Sequence, residues 1–177
     1  VAVGAYAGDI IQANSENTAV GDSALGTNAG SRNTAIGRAA MGIVPGGATT
    51  TSSEDNVAVG HDALYTYYGS GAVAVGSGAA DAATTQTAIV AIGKDALGAL
   101  SHADGDENTA VGSSALAALT AGSGVGYSNT AVGAGSLGAT VDGYKNTAVG
   151  EDALGDGDCG LCNTAVRRDA LKLFAFD

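Results

Sequence analysis

The sequence predicts an all-β chain: a parallel β-solenoid (β-roll) of about ten coils, forming one repeat array over residues 1–177. Three observations predict it. A phrase ending in Ala-Val/Ile-Gly recurs along the chain, its glycine standing at Gly4, Gly21, Gly37, Gly60, Gly76, Gly93, Gly112, Gly133 and Gly150, with Arg167 in the tenth place. The intervals are 17, 16, 23, 16, 17, 19, 21, 17 and 17 residues, so a basic coil of sixteen or seventeen is lengthened here and there by insertions. The composition, with 29 Gly, one Pro and no Trp in 177 residues, is the bias of a chain built by iteration rather than of an irregular globular core.

Each position of the coil has a physical reading. Asn17, Asn33, Asn56, Asn108, Asn129, Asn146 and Asn163 open the phrase four residues before the glycine position; Asn tolerates left-handed turns and can ladder up a stack. A Thr or Val follows, then an unbroken alanine column, then an unbroken Val/Ile column. Side chains alternate faces along a strand, so Val/Ile shares a face with the Thr or Val two residues earlier, and alanine points the other way. The expectation is that Val/Ile lies inside the coil with the Leu column four residues after the glycine. Ala19, Ala35, Ala58, Ala74, Ala91, Ala110, Ala131 and Ala148 would then form a smooth outer face against a second copy of the chain. The glycine permits a positive φ where the strand turns its corner. The Leu column (Leu25, Met41, Leu64, Leu97, Leu116, Leu137, Leu154 and Leu171) weakens only to Gly8 and Ala80.

Other repeat architectures fail on the same residues. No glycine-free stretch before Gly160 exceeds fourteen residues, and each interior glycine costs a helix about 1 kcal/mol relative to Ala. Neither the Leu-x-x-Leu-x-Leu of a leucine-rich repeat nor a glycine at every third position occurs.

The phrases Asn56-Val57-Ala58-Val59-Gly60, Ala72-Val73-Ala74-Val75-Gly76 and Ile89-Val90-Ala91-Ile92-Gly93 resemble the Ser-Val-Ala-Ile-Gly repeats of trimeric autotransporter adhesin heads. The fuller Asn-Thr-Ala-Val-Gly-x-x-Ala-Leu form, at 17–25, 108–116 and 146–154, is similar to repeats of bacteriophage tail fibres. The resemblance covers nearly the whole chain. It implies a left-handed parallel β-roll, three chains packed about one axis, and a rigid adhesive head or shaft. The coils here are longer than those of the adhesin heads, Thr often replaces the first Val, and no neck, coiled-coil stalk or membrane anchor is visible.

Charge narrows the partners. Seven Lys plus Arg against 18 Asp plus Glu give a net charge of -11, which repels a phosphate backbone and matches anionic lipid poorly. No apolar run approaches the roughly 20 residues that span a bilayer. A soluble chain with neither nucleic acid nor membrane insertion is expected. It opens at Val1, inside a repeat, so any signal or anchor is expected outside it.

No catalytic residue, cofactor or metal centre is expected. Cys159 and Cys162 make one Cys-x-x-Cys without the second pair a zinc site needs; a local disulfide or two free thiols is the reading. Asp104, Asp106 and Glu107 imitate the start of a calcium loop without the rest of its ligands and are the weak metal candidates. Gly155 to Gly160 spells G-x-G-x-x-G by chance, with two carboxylates where a pyrophosphate would sit. His61 and His102 lie far apart, at different places in their repeats, and read as surface residues. The Thr column is interrupted by Val57, Val73 and Val90, which makes an ice-ordering array a minor reading.

Two surfaces stand out for recognition. All insertions follow the Leu column, so polar loops should emerge on one side, and Tyr65, Tyr67 and Tyr68 in one connection are the candidates to grip a glycan or receptor. At the C-terminal end, Arg167, Arg168, Phe174 and Phe176 form a basic, aromatic coil that could meet the acidic first coils (Asp9, Glu16, Asp22) of another copy. The expected function is a structural or adhesive extracellular fibre element, on a cell surface or a virion, that assembles as a homotrimer. The alternative is a mechanical filament stacked head to tail. An enzyme on this scaffold would need a positioned acid, base or nucleophile, and the repeats hold only small and apolar residues constant.

Overall fold

The computed structural model describes residues 1–9, 16–26, 30–43, 53–101, 104–120, 126–156 and 160–172. Ten short strands follow in chain order: β1 (Ala2–Val3), β2 (Thr18–Val20), β3 (Thr34–Ile36), β4 (Val57–Val59), β5 (Val73–Val75), β6 (Val90–Ile92), β7 (Thr109–Val111), β8 (Thr130–Val132), β9 (Thr147–Val149) and β10 (Thr164–Val166). They form one parallel sheet in the order β1 to β10. Register is constant: Ala lies over Ala at every pairing, and β3 meets β4 as Thr34↔Val57, Ala35↔Ala58 and Ile36↔Val59 across the longest insertion. The β-solenoid expected from the repeat is therefore the fold. No helix among the described residues is long and apolar enough to cross a membrane.

The strand occupies one side of each coil and a tight turn the other. The column glycines have φ between 129° and 139°, and an added Cβ at any of the nine would lie 2.4–2.6 Å from the backbone of the next coil. Both conformation and space therefore demand glycine there. Two residues further on, Ser23, Asp62, Asp95, Ser114 and Asp152 are left-handed, and so is the Leu column, with Leu25, Leu64, Leu97 and Leu154 near φ 50°. These reversals point successive N–H groups along the axis in opposite senses. Asp95 N–H reaches back to the Ser77 carbonyl (3.0 Å), while Leu97 N–H reaches forward to the Ala115 carbonyl (3.0 Å). The turn is thus bonded to both neighbouring coils, and its backbone groups are satisfied although it is not a strand.

The core corrects the face assignment. Ala19, Ala35, Ala58, Ala74, Ala91, Ala110, Ala131 and Ala148 are completely buried inside the coils, together with the Leu column from Leu25 to Leu154. The Val/Ile column points outward: Ile36, Val75, Ile92 and Val132 are 36–40 % exposed. The physical reason is thickness. A coil of about sixteen residues has room across it for one large side chain, and the turn supplies that chain as Leu, with a second alanine beside it in Ala24, Ala63, Ala96, Ala115 and Ala153. The strand side can then contribute only a methyl group. Smallness repeated in every coil marks the inside, and these buried alanines cannot form an oligomer face.

The asparagines are the buried polar ladder. In each stacked pair the Oδ1 of one Asn accepts the N–H of the corresponding residue in the next coil: Asn17 from Asn33 (2.8 Å), Asn108 from Asn129 (2.9 Å), Asn129 from Asn146 (3.0 Å) and Asn146 from Asn163 (2.9 Å). Their Nδ2 groups donate to carbonyls three residues before the next Asn position, as Asn33 to Ser53 (2.6 Å), Asn108 to Gly126 (2.6 Å) and Asn129 to Gly143 (2.7 Å). The carbonyl-bearing position is itself often glycine. At Gly143 a Cβ would fall 2.7 Å from the Thr140 methyl and 2.8 Å from Asn146 Nδ2. Where Ala72 and Ile89 interrupt the ladder, Tyr67 and Gln86 carry the buried polar contacts: Tyr67 donates its hydroxyl to the Gln86 carbonyl (2.5 Å) and Gln86 Oε1 accepts the Thr84 N–H (2.7 Å).

Candidate ligand groove and association face

Two surfaces remain once the core is assigned. The first is the outer face of the sheet, where the column Val1, Thr18, Thr34, Val57, Val73, Val90, Thr109, Thr130, Thr147 and Thr164 runs beside the Val/Ile column along all ten coils. At about 4.8 Å per strand this stripe is about 43 Å long. It contains no charged side chain, since every position in it is Thr, Val or Ile.

The second is a groove of about 330 Å³ on the turn side, crossing four coils between Tyr6 and Tyr65. It exists because the turn positions of the two middle coils are small. Ser23, Gly26, Ala39 and Gly42 line it, Tyr6 and Tyr65 also contribute walls, and Asp9, Asp22 and Arg38 supply charge. Arg38 donates from Nη1 to His61 Nε2 (2.8 Å), and His61 Nδ1 lies 3.0 Å from Asp62 Oδ2. That chain places the ring proton on Nδ1 and ties the guanidinium at the groove edge. Aromatic faces flanked by carboxylate acceptors and a guanidinium donor suit a hydroxyl-rich ligand with apolar C–H faces, which is the chemistry of a sugar ring.

The three tyrosines singled out from sequence separate. Tyr65 lines the groove, and Tyr68 is half-buried. Tyr67 is a core residue, and burial, with the Asp106 charge adding to it, pushes its hydroxyl pKa up; it cannot meet a ligand. Tyr6, which the sequence reading passed over, joins Tyr65 in the groove lining. Nothing in its own phrase marks it, because it falls at the second residue after a glycine and Tyr65 at the fifth.

The calcium candidates Asp104, Asp106 and Glu107 share a second groove of about 300 Å³ with Tyr127. Asp106 Oδ1 is taken by the Thr87 N–H (2.6 Å) and Glu107 Oε2 by the Ser128 hydroxyl (2.8 Å). Among the described residues no three His, Cys, Asp or Glu side chains converge as metal ligands. Cys162 is a free, exposed thiol. Cys159, His102, Phe174 and Phe176 lie outside the described residues. At the C-terminal coil, Arg168 lies 3.5 Å from Glu151 and from Asp169, and Lys172 bonds Asp152 (2.7 Å), so these cations are engaged within their own chain. Comparison with protein-family models, curated proteins and solved structures returned no match.

Proposed function

We propose that the chain is a structural and adhesive element of an extracellular fibre: a rod that associates with further copies along its sheet face and offers its turn side to a surface glycan or receptor. The outward β-branched stripe carries this reading. An uncharged stripe about 43 Å long and about 10 Å wide, roughly 430 Å², is the size of patch that marks an interaction site. Each copy buries the same area, roughly 430 Å², whether two or three stripes meet, so area supports association along this face, and the likeness of the repeat to trimeric adhesin heads supports three copies. The same face takes the role that sequence reasoning gave to the alanines.

The scaffold reading, rather than a catalytic one, is supported by what repeats: small residues, β-branched residues and Asn in structural hydrogen bonds. The association is tested by sedimentation. The wild-type chain is expected to sediment as a trimer at micromolar concentration, and the triple variant Val75→Lys, Ile92→Lys, Val132→Lys as a monomer with an unchanged circular dichroism spectrum. A monomeric wild type removes the trimer from the proposal.

A further inference from the structure

We propose that Arg167 closes the stack: the face of the β10 coil that looks away from β9 cannot receive another coil of this repeat in register, whether from the same chain or from a second copy. The argument rests on the glycine column. At all nine glycines the Cβ direction runs from each coil toward the next in chain order, and an atom placed there meets the next coil's backbone at 2.4–2.6 Å. Real Cβ atoms do not approach backbone that closely, so every coil that is followed by another needs glycine at this position.

Arg167 keeps the column's backbone position. Its N–H bonds the Val149 carbonyl at 2.8 Å, just as Gly150 N–H bonds Val132 at 2.7 Å, and its φ of 152° lies beside those of the glycines. Gly150, below it, sees the Arg167 carbonyl carbon at 2.4 Å, the usual spacing of the column. The Arg167 Cβ therefore occupies the place where an eleventh coil would put its backbone. The obstruction is backbone against Cβ, which rotation of the flexible guanidinium end cannot relieve.

A polarity follows. The β1 face carries no such block, because the Cβ directions point away from it, so in-register extension is open on the β1 side and closed on the β10 side. The head-to-tail filament, in which the first coil of one copy continues the last coil of another, is closed by the same atom. A partner on the β10 face must have a different backbone.

The test adds the missing coil. A copy of residues 138–155 is fused after Leu171 in place of residues 172–177, which sets the new glycine at the interval that separates Gly133 from Gly150. The graft is made in the wild-type chain and in Arg167→Gly. Hydrogen exchange of the appended Thr-Ala-Val amides, read by mass spectrometry, is expected to be at least about 100-fold slower in the Arg167→Gly graft than in the Arg167 graft, with residues 147–149 protected in both. Equal protection of the appended coil in both grafts, or equal lack of it, overturns the proposal.

Discussion

At the scale of single residues, this fold is governed by backbone conformation and buried hydrogen bonds more than by side-chain volume. Leu25, Leu64, Leu97 and Leu154 sit near φ 50°, a region that costs an L-residue roughly 1–2 kcal/mol. Burial of the same side chains, worth about 1.5–3 kcal/mol each, offsets that cost. The column glycines have no such substitute, because their φ lies outside what Leu or Asn adopts and a Cβ has no space. The asparagines hold the connections. Asn129→Ala would leave the Gly143 carbonyl and the Asn146 N–H without their partner, and two such losses in a buried site cost about 2–4 kcal/mol. Hydrogen exchange should show the coils of β8 and β9 opening well before the rest, while Thr130→Ala, on the outer face, changes exchange by little. Equal effects from the two substitutions would mean that the ladder is not a main support.

At the scale of the element, one coil is a strand of three residues facing a turn, with alanine from the strand against alanine and leucine from the turn. The two hydrophobic columns of the strand therefore respond differently to change. Ala91→Val adds two methyl groups to a filled interior and should destabilise by about 1–3 kcal/mol. Ile92→Val removes one methyl from the outer face and should cost the isolated chain less than about 0.5 kcal/mol. Urea unfolding in a Val75→Lys, Val132→Lys background, which weakens association but keeps Ile92, measures both; a larger loss from Ile92→Val would reverse the assignment of inside and outside. Insertions do not disturb this arrangement. The Gly37 to Gly60 coil, the longest, keeps the register of β3 on β4, because its extra residues lie between the end of the turn and the Asn position.

At the scale of the whole molecule, each coil contacts its neighbours in sequence, so stability is a sum of nearest-neighbour terms and local damage stays local. The stack also builds what no single repeat contains. The groove between Tyr6 and Tyr65 takes residues from four coils, and its chemistry leads to a concrete expectation. Saturation-transfer NMR with methyl galactoside, methyl glucoside and N-acetylglucosamine should show transfer to at least one sugar at millimolar concentration, lost in both Tyr6→Ala and Tyr65→Ala. Absence of transfer to all three removes the groove as a sugar site and leaves the trimer, measured separately by sedimentation, untouched.

The fold was legible in the sequence because stacking in register forces like residues onto one another, and identity at a fixed interval is visible without coordinates. The glycine column, the Leu column and the Asn ladder were readable for that reason, since each answers a local demand of backbone conformation or hydrogen bonding. The inside and outside of the strand were not. Alternation places Ala and Val/Ile on opposite faces and is symmetric between them; only the thickness of the closed coil, already filled by Leu from the turn, decides that alanine goes in. The same holds for the ligand groove and for the fate of Tyr67. Distance along the chain says nothing of which side chains share a surface when the columns of four successive coils are laid side by side.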